Sequence, residues 1–291
     1  MPRAAATPRA AVPLRIARLP SPPRLAKYLA ALIMPWRPAF RTRARASGLR
    51  FWVQPRDAVG RHIAKYGRYE PALTTWIDGH LRRTAPGLFI DVGANIGWHT
   101  VHAARCPAVT QAVAFEPDAL NAWLLARNLA DNAIDNAIVL ASAVGAQSGI
   151  ATLYRYKASN QGRHSLATDH GHGSRRVPVI DLDGALTQLG LADAPIALIK
   201  IDVEGFEPAV IAGAGAALRR TAAVVTEYSP ELAGNDRAPL DAMLENLAAA
   251  GFVPHRLAGD GRLMVLSLSE LRGIATQTDI VWQRAGAPEQ K

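Results

Sequence analysis

From Gly87 onward, short apolar runs alternate with longer stretches in which apolar residues recur every three or four positions. The short runs predict strands at Leu88 to Val92, Ala112 to Phe115, Ala137 to Ala141, Ile196 to Val203 and Ala223 to Glu227, with two more at Val253 to Leu257 and Asp279 to Gln283. The helical stretches fall between them, at Trp98 to Arg105, Ala119 to Ala130, Asp183 to Leu189, Pro208 to Arg219 and Pro239 to Ala250, and Pro208 suits a helix start. Alternation of this kind predicts a doubly wound α/β fold, a mostly parallel sheet with helices on both faces. Ile150 to Tyr156 and Val177 to Leu182 interrupt it as two strand-like runs around a polar stretch from Lys157 to Arg176. That stretch reads either as an active-site loop or lid, or as a plain surface loop.

Ahead of this core, Val59, Ile63 and Tyr66, then Leu73, Trp76 and Ile77, have helical spacing and are separated by Gly67 and Pro71. The chain therefore divides into a Pro/Arg/Ala-rich tail or linker (1–48), an N-terminal helical cap (49–86) and a single core domain (87–291). Charge changes the picture of the tail. The net charge is +9, but residues 1–50 hold ten Arg and one Lys with no Asp or Glu, which leaves 22 basic against 24 acidic groups in the remainder. A near-neutral core argues against nucleic acid, because the steering field belongs on the binding surface. The basic tail reads as solvated, with peripheral contact to an anionic membrane as the other option. Tyr28 to Met34 is too short to span a bilayer, and no signal-peptide pattern surrounds it, so a cytoplasmic location is expected. One cysteine, Cys106, precludes an internal disulfide and a cysteine-rich zinc site.

The chemistry concentrates where strands end. Phe89 to Gly97, FIDVGANIG, is a strand running into a side-chain-poor turn and then a helix, the context of a nucleotide cradle. Gly93 lets the chain leave the strand sharply, Gly97 lets the following helix pack closely, and Asn95 tolerates the left-handed conformation. With Asp91 and Ala94 these form the expected cofactor turn. Glu116 closes the next strand nineteen positions beyond Gly97, where a carboxylate reaches a ribose diol. A dinucleotide fingerprint would need glycines where Asn95 and Trp98 stand, which argues against pyrophosphate. S-adenosyl-L-methionine carries no phosphate and needs close backbone approach, a ribose carboxylate and an apolar adenine slot, for which Ser142 and Ala143 with Val144 are suited.

These segments resemble the FkbM family of methyltransferases over roughly Asp57 to Glu227. The resemblance rests on FIDVGANIG, on AFEP from Ala114, on Asn160 with Gly162 and Ser165-Leu166, on Leu182-Asp183, and above all on IKIDVEGFE from Ile199 to Glu207. Glu70, in the Tyr69-Glu70 pair, fits the same pattern and joins the cofactor-binding candidates. The resemblance implies a Rossmann-like class I methyltransferase that methylates a hydroxyl on a sugar, lipid or secondary metabolite.

Strand alternation places Lys200 and Asp202 on one side of IKIDVEGFE, with Asp202 and Glu204 near the carboxyl end, where ligands bind in open α/β sheets. A hydroxyl acceptor benefits from a nearby base, and Asp202, Glu204, Glu227 and His164 are the candidates. The plainer readings are a Lys200–Asp202 pair, a strand-capping Glu227 and a solvated His164. No His/acid spacing typical of zinc or iron occurs, so no metal is expected, although magnesium at Asp202 stays open; His99 and His102 read as helix-surface residues. Two other classes compete: an NAD-linked oxidoreductase and a non-catalytic binding module.

Overall fold

The computed structural model describes residues 39–54, 57–156, 164–169, 171–234 and 236–286. Its centre is an eight-stranded sheet built from β3 (Gly87–Val92), β4 (Val109–Phe115), β5 (Ala137–Leu140), β9 (Ile196–Ile201), β10 (Ala223–Tyr228), β11 (Phe252–Leu257), β12 (Leu263–Val265) and β13 (Thr278–Arg284). Their order is β12-β11-β13-β10-β9-β3-β4-β5. Strands β3, β4, β5, β9 and β10 are mutually parallel, while β13 runs antiparallel between β10 and β11. The chain moves outward from β3 to β5, then returns to the other side of β3 with β9. The crevice at the carboxyl ends of β3 and β9 is thus the topological switch point of the sheet.

Central strands buried on both faces read as continuous apolar runs, which made them visible in the sequence. On β3, Leu88, Ile90 and Val92 pack against one helical layer and Phe89 against the other. The first layer holds α5 (Leu182–Gln188), α6 (Glu207–Ala212), α7 (Gly215–Arg219) and α8 (Ala238–Ala249); α9 (Leu268–Arg272) adds Leu271. The second holds α1 (Ala58–Tyr66), α2 (Pro71–Arg83), α3 (Trp98–Ala103) and α4 (Ala119–Asp131). Where one helix was expected over Pro208 to Arg219 the chain breaks into α6 and α7. A Cβ on the intervening Gly213 would lie 2.1 Å from the Gly145 carbonyl oxygen, so two backbone segments cross there without room for a side chain.

A second difference lies at the N-terminal boundary. Strand β1 (Phe40–Arg43) falls inside the stretch assigned to the tail, and it pairs antiparallel with β2 (Arg50–Val53). Leu49, Phe51 and Val53 are buried with Val59 and Ile63 of α1, so the cap is a hairpin plus two helices. The side chains of Asn128 on α4 and of Asn132, its C-cap, bond both ways with the Trp52 and Arg50 backbone and fasten the hairpin to the core.

The polar interruption is flanked by β7 (Gly149–Tyr154) and β8 (Ser174–Ile180), which with β6 (Ala143–Val144) form a separate three-stranded sheet. Asn160 and Gly162 lie outside the described residues. Among the described residues no helix is long and apolar enough to cross a membrane.

Candidate active site

Two adjoining clefts open at the switch point. The smaller, about 520 Å³, is lined by Gly93, Glu116, Asn121, Ser142, Ala143 and His164 among others; the larger, about 1000 Å³, by Glu70, Ala94, His99, Lys200, Glu204 and Glu227. Asn95 and Asp202 border both and mark where they meet.

The turn after β3 is shaped by backbone proximity. Gly93 has φ +79°, and a Cβ there would sit 1.9 Å from the Asp202 carbonyl oxygen. Its freedom thus lets the turn touch the end of β9, closing the two strand ends on each other. Gly93→Ala is expected to cost on the order of 3 kcal/mol, from left-handed strain plus overpacking, and to lower the melting temperature while weakening cofactor binding; an unaltered melting curve would show that the turn tolerates a side chain. Gly97 has φ +84°, and its Cβ would strike Leu125 of α4 at 2.1 Å, so it admits the neighbouring helix rather than the sheet. Asn95 takes the left-handed conformation at φ 50°, and its Oδ1 accepts from the Ile96 N–H.

Glu116 emerges from β4 into the smaller cleft, 6% exposed, accepting from the Asn95 N–H at 2.8 Å and the Asp118 N–H at 2.7 Å. Burial pushes its carboxyl up to about 7, against the pull of these backbone bonds. Each oxygen keeps a further lone pair, so the carboxylate can still accept from a vicinal diol.

Asp91 was expected at the cofactor, yet it lines neither cleft. It is 1% exposed, accepts from Thr100 Oγ1 at 2.6 Å, and faces the Lys200 ammonium at 3.7 Å. Lys200 also donates to Asp202 Oδ2 at 3.1 Å. Burial alone would strip the proton from Lys200, but Asp202, Asp91 and Glu70 together hold it well above its ordinary value as a fixed cation. The Lys200–Asp202 pairing is therefore real, and both partners nonetheless border the larger cleft.

Glu70 has left-handed φ 40° and accepts from His99 Nε2 at 2.8 Å. Burial opposes its ionisation, but the His99 bond and charge, with Lys200 behind, outweigh it and bring the carboxyl down to about 2. His99 is 5% exposed, and His102 lies against both Trp98 (4.5 Å) and Phe51 (5.8 Å) in a three-ring cluster, its imidazole lowered to about 4 by burial. Neither is a free helix-surface residue. Their i,i+3 spacing gave no sign of this, because α3 is covered on its outer side by the cap.

Asp202, Glu204 and Glu227 bring carboxylate oxygens within 4.8 Å of one another, the one such group among the described residues that could hold a cation. Glu227 also meets Gln277 Nε2 and accepts from Ser229 Oγ at 3.1 Å. Burial and repulsion from Asp202, Glu204 and Glu207 push Glu227 up to about 10, so a proton relieves the crowding. Glu204 has left-handed φ 52°; Ser165 Oγ donates to its carbonyl at 2.7 Å, and Glu207 Oε1 receives the flanking Val203 and Gly205 N–H groups. Asp279 on β13, pushed up to about 7 by burial and then by Glu70 and Asp202, joins the same acidic surroundings.

His164 stands apart from this group, in the smaller cleft beside Asp118. Its Nδ1 accepts the Tyr156 N–H at 3.0 Å, so the neutral ring carries its proton on Nε2 and has no free lone pair for a substrate. Sequence reasoning passed over Asp118, which caps α4 and pairs with Arg175 at 3.0 Å, and Asn121, Gln277 and Asp279. Only Asp118 had a signal, as an N-cap just after AFEP.

A doubly wound sheet with a glycine-shaped turn at its switch point and a buried carboxylate on the adjoining strand fits the Rossmann-like S-adenosylmethionine-dependent methyltransferases. Residues 91–254 match the family model described as the methyltransferase FkbM domain, and the chain belongs to that family. No curated protein matches it. Solved structures similar to it include an O-methyltransferase from Bacillus cereus in complex with SAH (12% identity, TM-score 0.44, covering 75% of this chain and 83% of that one). Others are a SAM-dependent methyltransferase from Agrobacterium tumefaciens (9%, 0.46, 85% and 70%) and precorrin-6y C5,15-methyltransferase from Geobacter metallireducens GS-15 (14%, 0.38, 73% and 87%).

Proposed function

We propose that the protein transfers a methyl group to a hydroxyl oxygen of a small-molecule or glycan acceptor seated in the larger cleft. The observation that carries this reading is Asp202, which borders both clefts and stands beside a second carboxylate, Glu204. When bound, S-adenosylmethionine supplies a methyl group activated by its sulfonium; alignment of the acceptor is the protein's main task. Glu116 would hold the ribose, Ser142 and Ala143 the adenine, and Asn95, Ala94 and the Gly93 turn the remainder, with Asp91 and Gly97 positioning that turn from behind. Glu70, oriented by His99, would bind at the larger-cleft end.

Asp202 has one oxygen on Lys200 and is the group to receive the hydroxyl proton, with Glu204 as its neighbour. Glu227, protonated at neutral pH, serves as a donor to the acceptor rather than as a base. His164 closes the adenosine side. Asp202→Asn is expected to slow labelled methyl transfer by about two orders of magnitude, the low end of general-base contributions, with cofactor affinity changed only a few-fold. The deciding experiment moves a labelled methyl from S-adenosylmethionine into fractionated extract and identifies the product. Label on nitrogen or carbon would overturn oxygen methylation. Transfer that needs an added divalent cation and stops with chelator would give the three-carboxylate group to a metal instead.

A further inference from the structure

We propose that the N-terminal cap is a docking surface for an anionic phospholipid membrane, which presents the acceptor at the mouth of the larger cleft. The idea builds on the hydroxyl-acceptor reading by naming where the acceptor resides, while its test needs no acceptor.

Charge is sharply segregated along the chain: residues 1–70 carry 15 basic and 2 acidic groups, the remaining 221 residues 18 basic and 22 acidic. Both acids of the first part are turned inward. Asp57 is 3% exposed and caps α1, and Glu70 faces His99. On the hairpin the register sets Arg43 directly opposite Arg50, with Arg41 opposite Trp52, and all three arginines are exposed. Like charges directly across a strand pair destabilise it. Concentrated positive charge is thus built into this face and is complementary to an anionic surface. The Arg45 N–H bonds to the Gly67 carbonyl at 2.6 Å, bringing exposed Arg45 next to exposed Arg68 and extending the basic surface to the end of α1. From the packed core, Asp131 answers part of this charge, meeting Arg41 at 3.6 Å and Arg127 at 3.5 Å.

The surface is continuous with the site. Val59, His62 and Tyr69 line the larger cleft, and the His62 ring lies 4.6 Å from that of Tyr66, which is 41% exposed. Amphipathic aromatic side chains among cations suit a headgroup region. The sequence ahead of the cap decides between polyanions. Residues 1–38 hold seven basic groups and no acid, and the apolar run Tyr28 to Met34 is flanked by Lys27 and Arg37. An apolar run too short to span but flanked by cations gives a membrane two binding signals, whereas nucleic acid has no use for the first.

The test is co-sedimentation of the full chain with vesicles of phosphatidylcholine alone or mixed with phosphatidylglycerol, at low and high salt, beside the variant Arg45→Glu/Arg50→Glu/Arg68→Glu. Melting curves of both chains report folding, and calorimetry with S-adenosylmethionine run in parallel tests the cofactor reading separately. The expected result is salt-sensitive binding to the mixed vesicles only, weakened at least about tenfold in the variant, with unchanged cofactor affinity. If the charge-reversed chain fails to bind cofactor, the corresponding Arg→Gln variant replaces it, with a smaller loss expected. Equal binding to neutral vesicles, wild-type binding by the folded variant, or displacement from vesicles by a slight amount of single-stranded RNA would overturn the proposal.

Discussion

Glu116→Ala is expected to weaken S-adenosylmethionine binding by about two orders of magnitude, the equivalent of two charge-assisted hydrogen bonds at about 1.5 kcal/mol each. The change removes the ribose acceptor and also strands the Asn95 and Asp118 N–H groups that Glu116 now satisfies. Glu116→Gln should recover little, because its amide nitrogen must face one of those two donors. Since burial holds the Glu116 carboxyl near 7, affinity for the cofactor should also climb between pH 6 and 8 as the carboxylate ionises. Titration calorimetry at these two pH values measures both effects. Equal affinity of wild type and Glu116→Ala, with both folded, would remove the ribose assignment.

The second large effect is on stability of the cofactor-free protein. Glu116 and Glu207 are 6% and 2% exposed, and burial raises both carboxyls from 4.5 to about 7. A folded-state value above the unfolded one means that the native protein binds more protons between pH 4.5 and 7, so stability falls as pH rises through that window. Each shift corresponds to about 3 kcal/mol. Glu70 acts in the opposite sense: lowered to about 2, it stabilises above its unfolded value and loses that contribution as pH falls from 4.5 toward 2. Asp279 and Glu227, also raised, act in the same sense, and His102, lowered to about 4, in the opposite one, so the melting temperature should peak near pH 5 and drop by at least about 10 °C at pH 8. A melting temperature that is flat or rises from pH 5 to 8 would show that these carboxyls ionise freely in the fold.

Much of the architecture was legible because the central strands are buried on both faces, and their apolar runs admit no other placement. The seven predicted sheet strands all form, with ends differing by a residue or two except at β4, which starts three residues earlier; β9 stops at Ile201, two residues early, where Asp202 meets the Gly93 turn. The hairpin of β1 and β2 was hidden for a physical reason: its exposed face is arginine, which made a paired strand resemble the tail before it. Strand β12 and helix α9 are too short to show periodicity.

In the candidate site, the turn and the strand-terminal acids could be read from local pattern. Their division of labour could not, because it depends on contacts between distant segments. Asp91 turns toward Lys200, 109 positions later in the chain, and His99 finds Glu70 across the cap. Trp98, which counted against a dinucleotide through the space its ring would fill beside the sheet, instead stacks on Phe51 at 4.9 Å and donates to Thr74 Oγ1. The polar stretch is anchored at two points, Ser165 on Glu204 and Arg175 on Pro117, a connection that loop composition does not reveal.

The position of β13 has a consequence for biogenesis. This strand is made after β10 and β11 yet wedges between them, and it brings Asp279 to face Glu227. A ribosome-bound chain that has not yet emitted residues 278–284 would carry two open sheet edges and half an acidic pocket. Such a nascent species would invite mispairing until β13 has emerged.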